Sequence, residues 1–118
     1  MTGVQTCALP ILRIAVDDPA SIAAAAAAVT ARYGRLDALV NSGGATTPVA
    51  ANDLDGLTDE IFDRTVKINL RGPFAVIRAF RPLLERGEGA VVVNISSIAA
   101  RTGLGSSLAY LEIGRAHV

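Results

Sequence analysis

The residue types best suited to chemistry in this chain stand close together near its carboxyl-terminal end. In the stretch Gly89–Tyr110, GAVVVNISSIAARTGLGSSLAY, an apolar run ends in Ser96 and Ser97, and Tyr110 follows 13 residues after Ser97. Hydroxyl groups both donate and accept hydrogen bonds. In open α/β sheets ligands bind outside the carboxyl ends of the strands, so hydroxyls placed there are positioned to act on a ligand. A plainer reading stays open beside this one. The serines could close a strand through local hydroxyl-to-backbone bonds, with Tyr110 starting a helix as an amphipathic ring.

The elements that must position these groups are legible in outline. Ala90–Ile95 has the length and β-branched content of a strand buried on both faces, as in parallel sheets covered by helices. Leu36–Val40 reads as a second buried strand, and Asn41–Gly44 as the turn leaving its carboxyl end. Leu12–Val16 reads as a short strand. Asp18 before Pro19 marks a helix start, six alanines (Ala23–Ala28) favour helix, and Gly34 supplies a left-handed stop, so a helix is predicted over Pro19–Tyr33. Thr58, followed by Asp59 and Glu60, caps the next helix, whose buried side carries Ile61, Phe62, Val66, Ile68 and Leu70. Asn69 lies three residues before Gly72 and four before Pro73, a pair that disturbs a helix and frees backbone groups to hold water. From Phe74 to Glu85, the spacing of Phe74, Ile77, Phe80, Leu83 and Leu84 predicts a helix with one apolar face.

Composition narrows the class of protein. The chain has 118 residues, 51% of them hydrophobic, and its eleven basic residues balance eleven acidic ones. Such a chain can bury roughly two-thirds of its unfolded surface as one domain. Without a basic cluster nucleic acid is not an expected partner. The apolar stretch around the alanine run is far too short for a membrane span of about 20 residues. No signal-peptide pattern opens the chain, and the single cysteine, Cys7, excludes an internal disulfide and a cysteine metal cluster. A cytoplasmic soluble protein with no metal is expected. Lys67 is the only lysine.

Four motifs in order, the Asn41–Gly44 turn, Asn69 with its Gly72, NISS ending at Ser97, and Tyr110, resemble the short-chain dehydrogenase/reductase family over about residues 12–110. The resemblance implies an α/β fold, a partial Rossmann-like parallel sheet flanked by helices, and an oxidoreductase using NAD or NADP. It implies a small alcohol or carbonyl substrate and a homo-oligomeric full-length protein that often dimerises through the Phe74–Glu85 helix. It implies that Ser97 binds the substrate carbonyl, that Tyr110 transfers the proton, and that Asn69 holds a water at a helix kink. Asn41, Gly43 and Gly44 match the turn beside the cofactor, where Ser42 replaces a second asparagine. An aspartate near the family's third strand contacts adenine. Asp17 is the candidate here, although alignment puts Ala15 at that position.

Two departures bear on activity. No glycine-rich turn precedes residue 34, and position 114 is Gly114, where the family carries a lysine four residues after the tyrosine. A free tyrosine titrates near 10, so proton transfer at neutral pH needs a nearby positive charge. The chain is therefore expected to be an internal fragment, inactive as written. The alternative is a non-catalytic α/β binding or dimerisation module. Residues 1–11 and 112–118 share no pattern with the rest and read as sequencing-adapter translation or disordered tails, leaving 12–111 as a partial dinucleotide-binding domain. Three strands are predicted, with Leu12–Val16 moved beside Leu36–Val40 because its family neighbours are missing.

Overall fold

A computed structural model describes residues 10–116. Residues 1–9, with Cys7 and most of the segment 1–11, lie outside that range, as do His117 and Val118.

Helix α1, Pro19–Tyr33, begins and ends on local signals. The Asp18 carboxylate accepts the Ala20 amide at 3.0 Å, and Pro19 stands where a missing N–H costs nothing. Gly34 adopts φ 70° and returns its amide to the carbonyls of Val29 and Thr30. Within α1, Ile22 and Ala25 are buried, and the small alanine side chains let the helix approach its neighbour closely. That neighbour is α3, Gly72–Glu85, which contributes buried Val76, Phe80 and Leu83 to the same core.

Two strands run parallel, β1 (Ala38–Asn41) and β2 (Val91–Asn94), with Ala38 opposite Val91 and Asn41 opposite Asn94. Parallel neighbours need a long crossover. Here it comprises a loop, helix α2 (Asp59–Val66), a π-helical turn (Lys67–Arg71) and α3. Thr58 caps α2 as expected, its hydroxyl accepting the Ile61 amide. The π turn has a chemical cause. Pro73 lacks the amide hydrogen that an α-helix would give to the Asn69 carbonyl four residues back, so the regular ladder breaks there.

Three expectations are corrected. The sheet has two strands among the described residues, because Leu12–Val16 forms none. This segment prepares the start of α1 instead: the Ala15 amide donates to Ser21 Oγ at 2.8 Å, and the Asp18 amide donates to the Ala15 carbonyl at 3.0 Å. Val16 packs on α3, where a Cβ at Gly72 would lie 3.0 Å from Val16 Cγ2. Second, β2 is not buried on both faces. Val91, Val92, Val93 and Ile95 are each more than two-fifths exposed, since among the described residues α3 is the one helix packed on both strands. Third, Phe62 and Leu70 are exposed, and the covered side of α2 and the π turn carries Thr65 and Ile68.

The apolar stripe of α3 divides as well: Phe80 and Leu83 enter the core with α1, whereas Phe74 is exposed. After β2 come a single turn, α4 (Ala99–Thr102), and α5 (Leu108–Ala116), joined through Gly103 and Gly105 at positive φ. Ala99, Ala100, Ala109, Leu111 and Ile113 are buried. Helix α5 thus continues beyond residue 111 into the segment 112–118.

Candidate active site

Both strands end in a valine followed by an asparagine, and the parallel register sets the two asparagines side by side. Asn41 Nδ2 donates to Asn94 Oδ1 at 2.9 Å, and the Ile95 amide continues the ladder to the Asn41 carbonyl at 2.9 Å. Beyond these ends the chain turns twice, through Ser42–Gly44 after β1 and through Ser96–Ser97 after β2. The two turns form neighbouring walls of one cleft.

Asn69 supplies the next wall from the π turn. Its Oδ1 accepts the Ala45 amide at 3.0 Å, while its Nδ2 donates to the Ala45 and Thr65 carbonyls. The half-buried side chain therefore stitches the loop after β1 to the helix break. Gly44 is required by this stitch, since a Cβ there would stand 2.8 Å from Asn69 Oδ1. At Gly43, by contrast, a Cβ would meet nothing within 4 Å, so the backbone is open to the cleft.

Ser97 Oγ accepts the Ala99 amide at 3.2 Å and so opens α4. This is the local hydroxyl-to-backbone bond that the sequence left open, and it uses only the acceptor side of the hydroxyl. Tyr110 reaches the cleft from the first turn of α5 and is half-buried. A short contact between the hydroxyls of Thr46 and Ser106, 2.5 Å, ties the loop after β1 to the loop before α5.

The cleft measures about 130 Å³. That is below the roughly 300–1,000 Å³ of sites that enclose a whole drug-sized ligand, so it suits the reacting end of a molecule. Asn41, Gly43, Gly44, Asn69, Ser97 and Tyr110 all line it, drawn from four separate segments, and among the described residues no charged side chain does. Asp17 does not. It stands in the turn before α1, beside Val16, which lines a separate groove with Arg71 and Phe74. Lys67 is also outside the cleft lining. Among the described residues no group of histidine, cysteine or carboxylate side chains could hold a metal.

Sequence reasoning missed Asn94. The available signal was the repeated Val-Asn at 40–41 and 93–94, the first followed directly by Ser42–Gly44 and the second, after Ile95, by Ser96 and Ser97.

Comparison with known proteins gives a consistent result. A family model described as enoyl-(acyl carrier protein) reductase matches residues 3–113, beginning inside the segment 1–11 set apart above. D-threitol dehydrogenase of Mycolicibacterium smegmatis is 45% identical over 96 residues, covering 80% of this chain and 35% of that protein. 2-(R)-hydroxypropyl-CoM dehydrogenase of Xanthobacter autotrophicus is 37% identical over 103 residues, covering 85% of this chain and 41% of that one. A crystal structure described as a short-chain dehydrogenase/reductase from Burkholderia xenovorans superposes with a TM-score of 0.83 at 36% identity, covering 91% of this chain and 45% of the other. The chain thus spans less than half the length of each of these relatives.

Proposed function

Because the chain belongs to the short-chain dehydrogenase/reductase family, we propose that it is the catalytic-site segment of an oxidoreductase that uses NAD or NADP to interconvert a small alcohol and its carbonyl. One observation carries this reading: a single cleft gathers Ser97, Tyr110, Asn69 and the Asn41–Gly44 turn at the carboxyl ends of two parallel strands. A residue set chosen by order along the chain converges in space.

The roles follow from the atoms available. The Ser97 hydroxyl hydrogen donates to the substrate oxygen while its Oγ stays anchored on the Ala99 amide. Tyr110 Oη takes the proton leaving the alcohol oxygen, or returns it in the reverse direction. Asn69 maintains the π turn against Ala45 and, through the broken ladder, the place for a water on the proton path. The open backbone at Gly43 fits close approach by a flat ring, so Asn41, Gly43 and Gly44 hold the nicotinamide end. When bound, the dinucleotide supplies the hydride acceptor or donor. Asp17, apart from the cleft, is left for the adenine side. Residues 12–111 are the working part of the chain.

Gly114 leaves Tyr110 without the family's lysine, and Lys67 does not line the cleft. The isolated chain is therefore expected to show no turnover. Among the described residues no helix is long and apolar enough to cross a membrane, in keeping with a cytoplasmic enzyme. A homo-oligomer is favoured by Phe74, which is 59% exposed with Arg78 5.2 Å from its ring centre. The same observation supports the second reading, a non-catalytic pairing module.

The deciding experiment uses an enzyme carrying this segment at its relatives' full length, with Gly114→Lys supplying the family's lysine. Tyr110→Phe and Ser97→Ala should each lower turnover about 10²–10⁴-fold with cofactor affinity little changed. Weakened cofactor binding with turnover spared would reverse the assignment, and turnover by the isolated chain that Tyr110→Phe abolishes would refute its expected inactivity.

A further inference from the structure

We propose that Asn94 is a positioning residue, whose side-chain carbonyl holds the Asn41 amide and thereby sets the separation of the two turns that carry the site. Only the kinetic part of its test rests on the oxidoreductase reading above.

The argument starts from register. Asn41 and Asn94 are direct partners at the last paired position of a parallel ladder. The pairs before them, Leu39 with Val92 and Val40 with Val93, have no side-chain polar atoms, so the bond from Asn41 Nδ2 to Asn94 Oδ1 is the sole side-chain hydrogen bond available across the sheet. Beyond it the chains diverge into Gly43 and Gly44 on one side and Ser97 on the other, and both asparagines line the cleft between them. The bond is exposed to water, so it adds little to stability. Its effect lies in fixing a distance that the reacting groups depend on.

This separates positioning from a merely structural role. Asn94→Leu keeps the branched shape and removes the acceptor, whereas Asn94→Asp keeps an acceptor oxygen. In the chain itself, nuclear magnetic resonance should show Asn94→Leu shifting the Asn41 side-chain amide together with the amides of Gly43, Gly44 and Ser97, and Asn94→Asp restoring them. In the full-length enzyme Asn94→Leu should cost about tenfold in turnover, within the range that small misplacements of reacting groups produce, with KM and the unfolding midpoint nearly constant. Asn94→Asp should recover most of that loss. In the chain itself, without cofactor, the double variant Asn41→Leu with Asn94→Leu should shift the Gly43, Gly44 and Ser97 amides no further than Asn94→Leu alone, because both remove the same bond. The proposal is overturned if Asn94→Leu leaves the Gly43, Gly44 and Ser97 signals in place, if Asn94→Asp fails to restore them, or if the two sets of shifts add. Should Asn94→Leu not fold, Asn41→Leu asks the same question from the other strand. A full-length enzyme without activity on any alcohol would defeat the functional reading, while the amide signals would still decide this one.

Discussion

The α1/α3 layer and the β1/β2 sheet bury their apolar side chains to very different extents. Between the helices, Ile22, Ala25, Val76, Phe80 and Leu83 are each at most 5% exposed. In β2 every residue is exposed, although three of the four are valines. The difference follows from what each element requires. A helix satisfies its own backbone and needs one apolar partner, whereas a strand needs neighbours on two edges and two faces. The helical pair therefore carries stability and the sheet carries geometry. All six residues of the proposed site that line the cleft belong to the sheet ends or to segments leaning on them.

Mutations at three points test that division. Leu83→Ala removes a side chain only 1% exposed at the centre of the helical layer, and should cost about 2–5 kcal/mol in urea unfolding. A loss of less than 1 kcal/mol, roughly the scale of a surface change, would break the contrast. Gly87→Ala probes the junction between the two regions, where a Cβ would stand 2.2 Å from the Leu36 carbonyl oxygen. Overpacking there should cost about 1–3 kcal/mol, and an unchanged unfolding midpoint would mean that the junction yields freely. Val92→Thr changes a strand residue that is 41% exposed and should stay within about 0.5 kcal/mol. If it instead matched Leu83→Ala, the sheet would be covered in solution and the contrast would vanish.

Much of the helical layer was legible because its signals are neighbours in the chain. Asp18, Pro19 and Gly34 bound α1 at the predicted residues, and Thr58 starts α2, since a cap acts on amides two or three positions away. The disturbance at Asn69 was equally local, because Pro73 removes one donor from one carbonyl.

Strand status was not local. Leu12–Val16 has the composition of a strand yet pairs with no strand among the described residues, and the valines of β2 are exposed, because pairing and cover depend on elements far away in sequence. By itself, the sequence determined which residues could do chemistry and in what order they occur: Asn41, Gly43 and Gly44, then Asn69, Ser97 and Tyr110. Only the tertiary structure decided that these six share a cleft and Asp17 does not, that the Asn69 side chain grips Ala45 across 24 positions, and that Asn94 meets Asn41 across 53. The physical reason is that a side-chain hydrogen bond is directional and reaches about 3 Å, so its partner is chosen by the packing of whole elements.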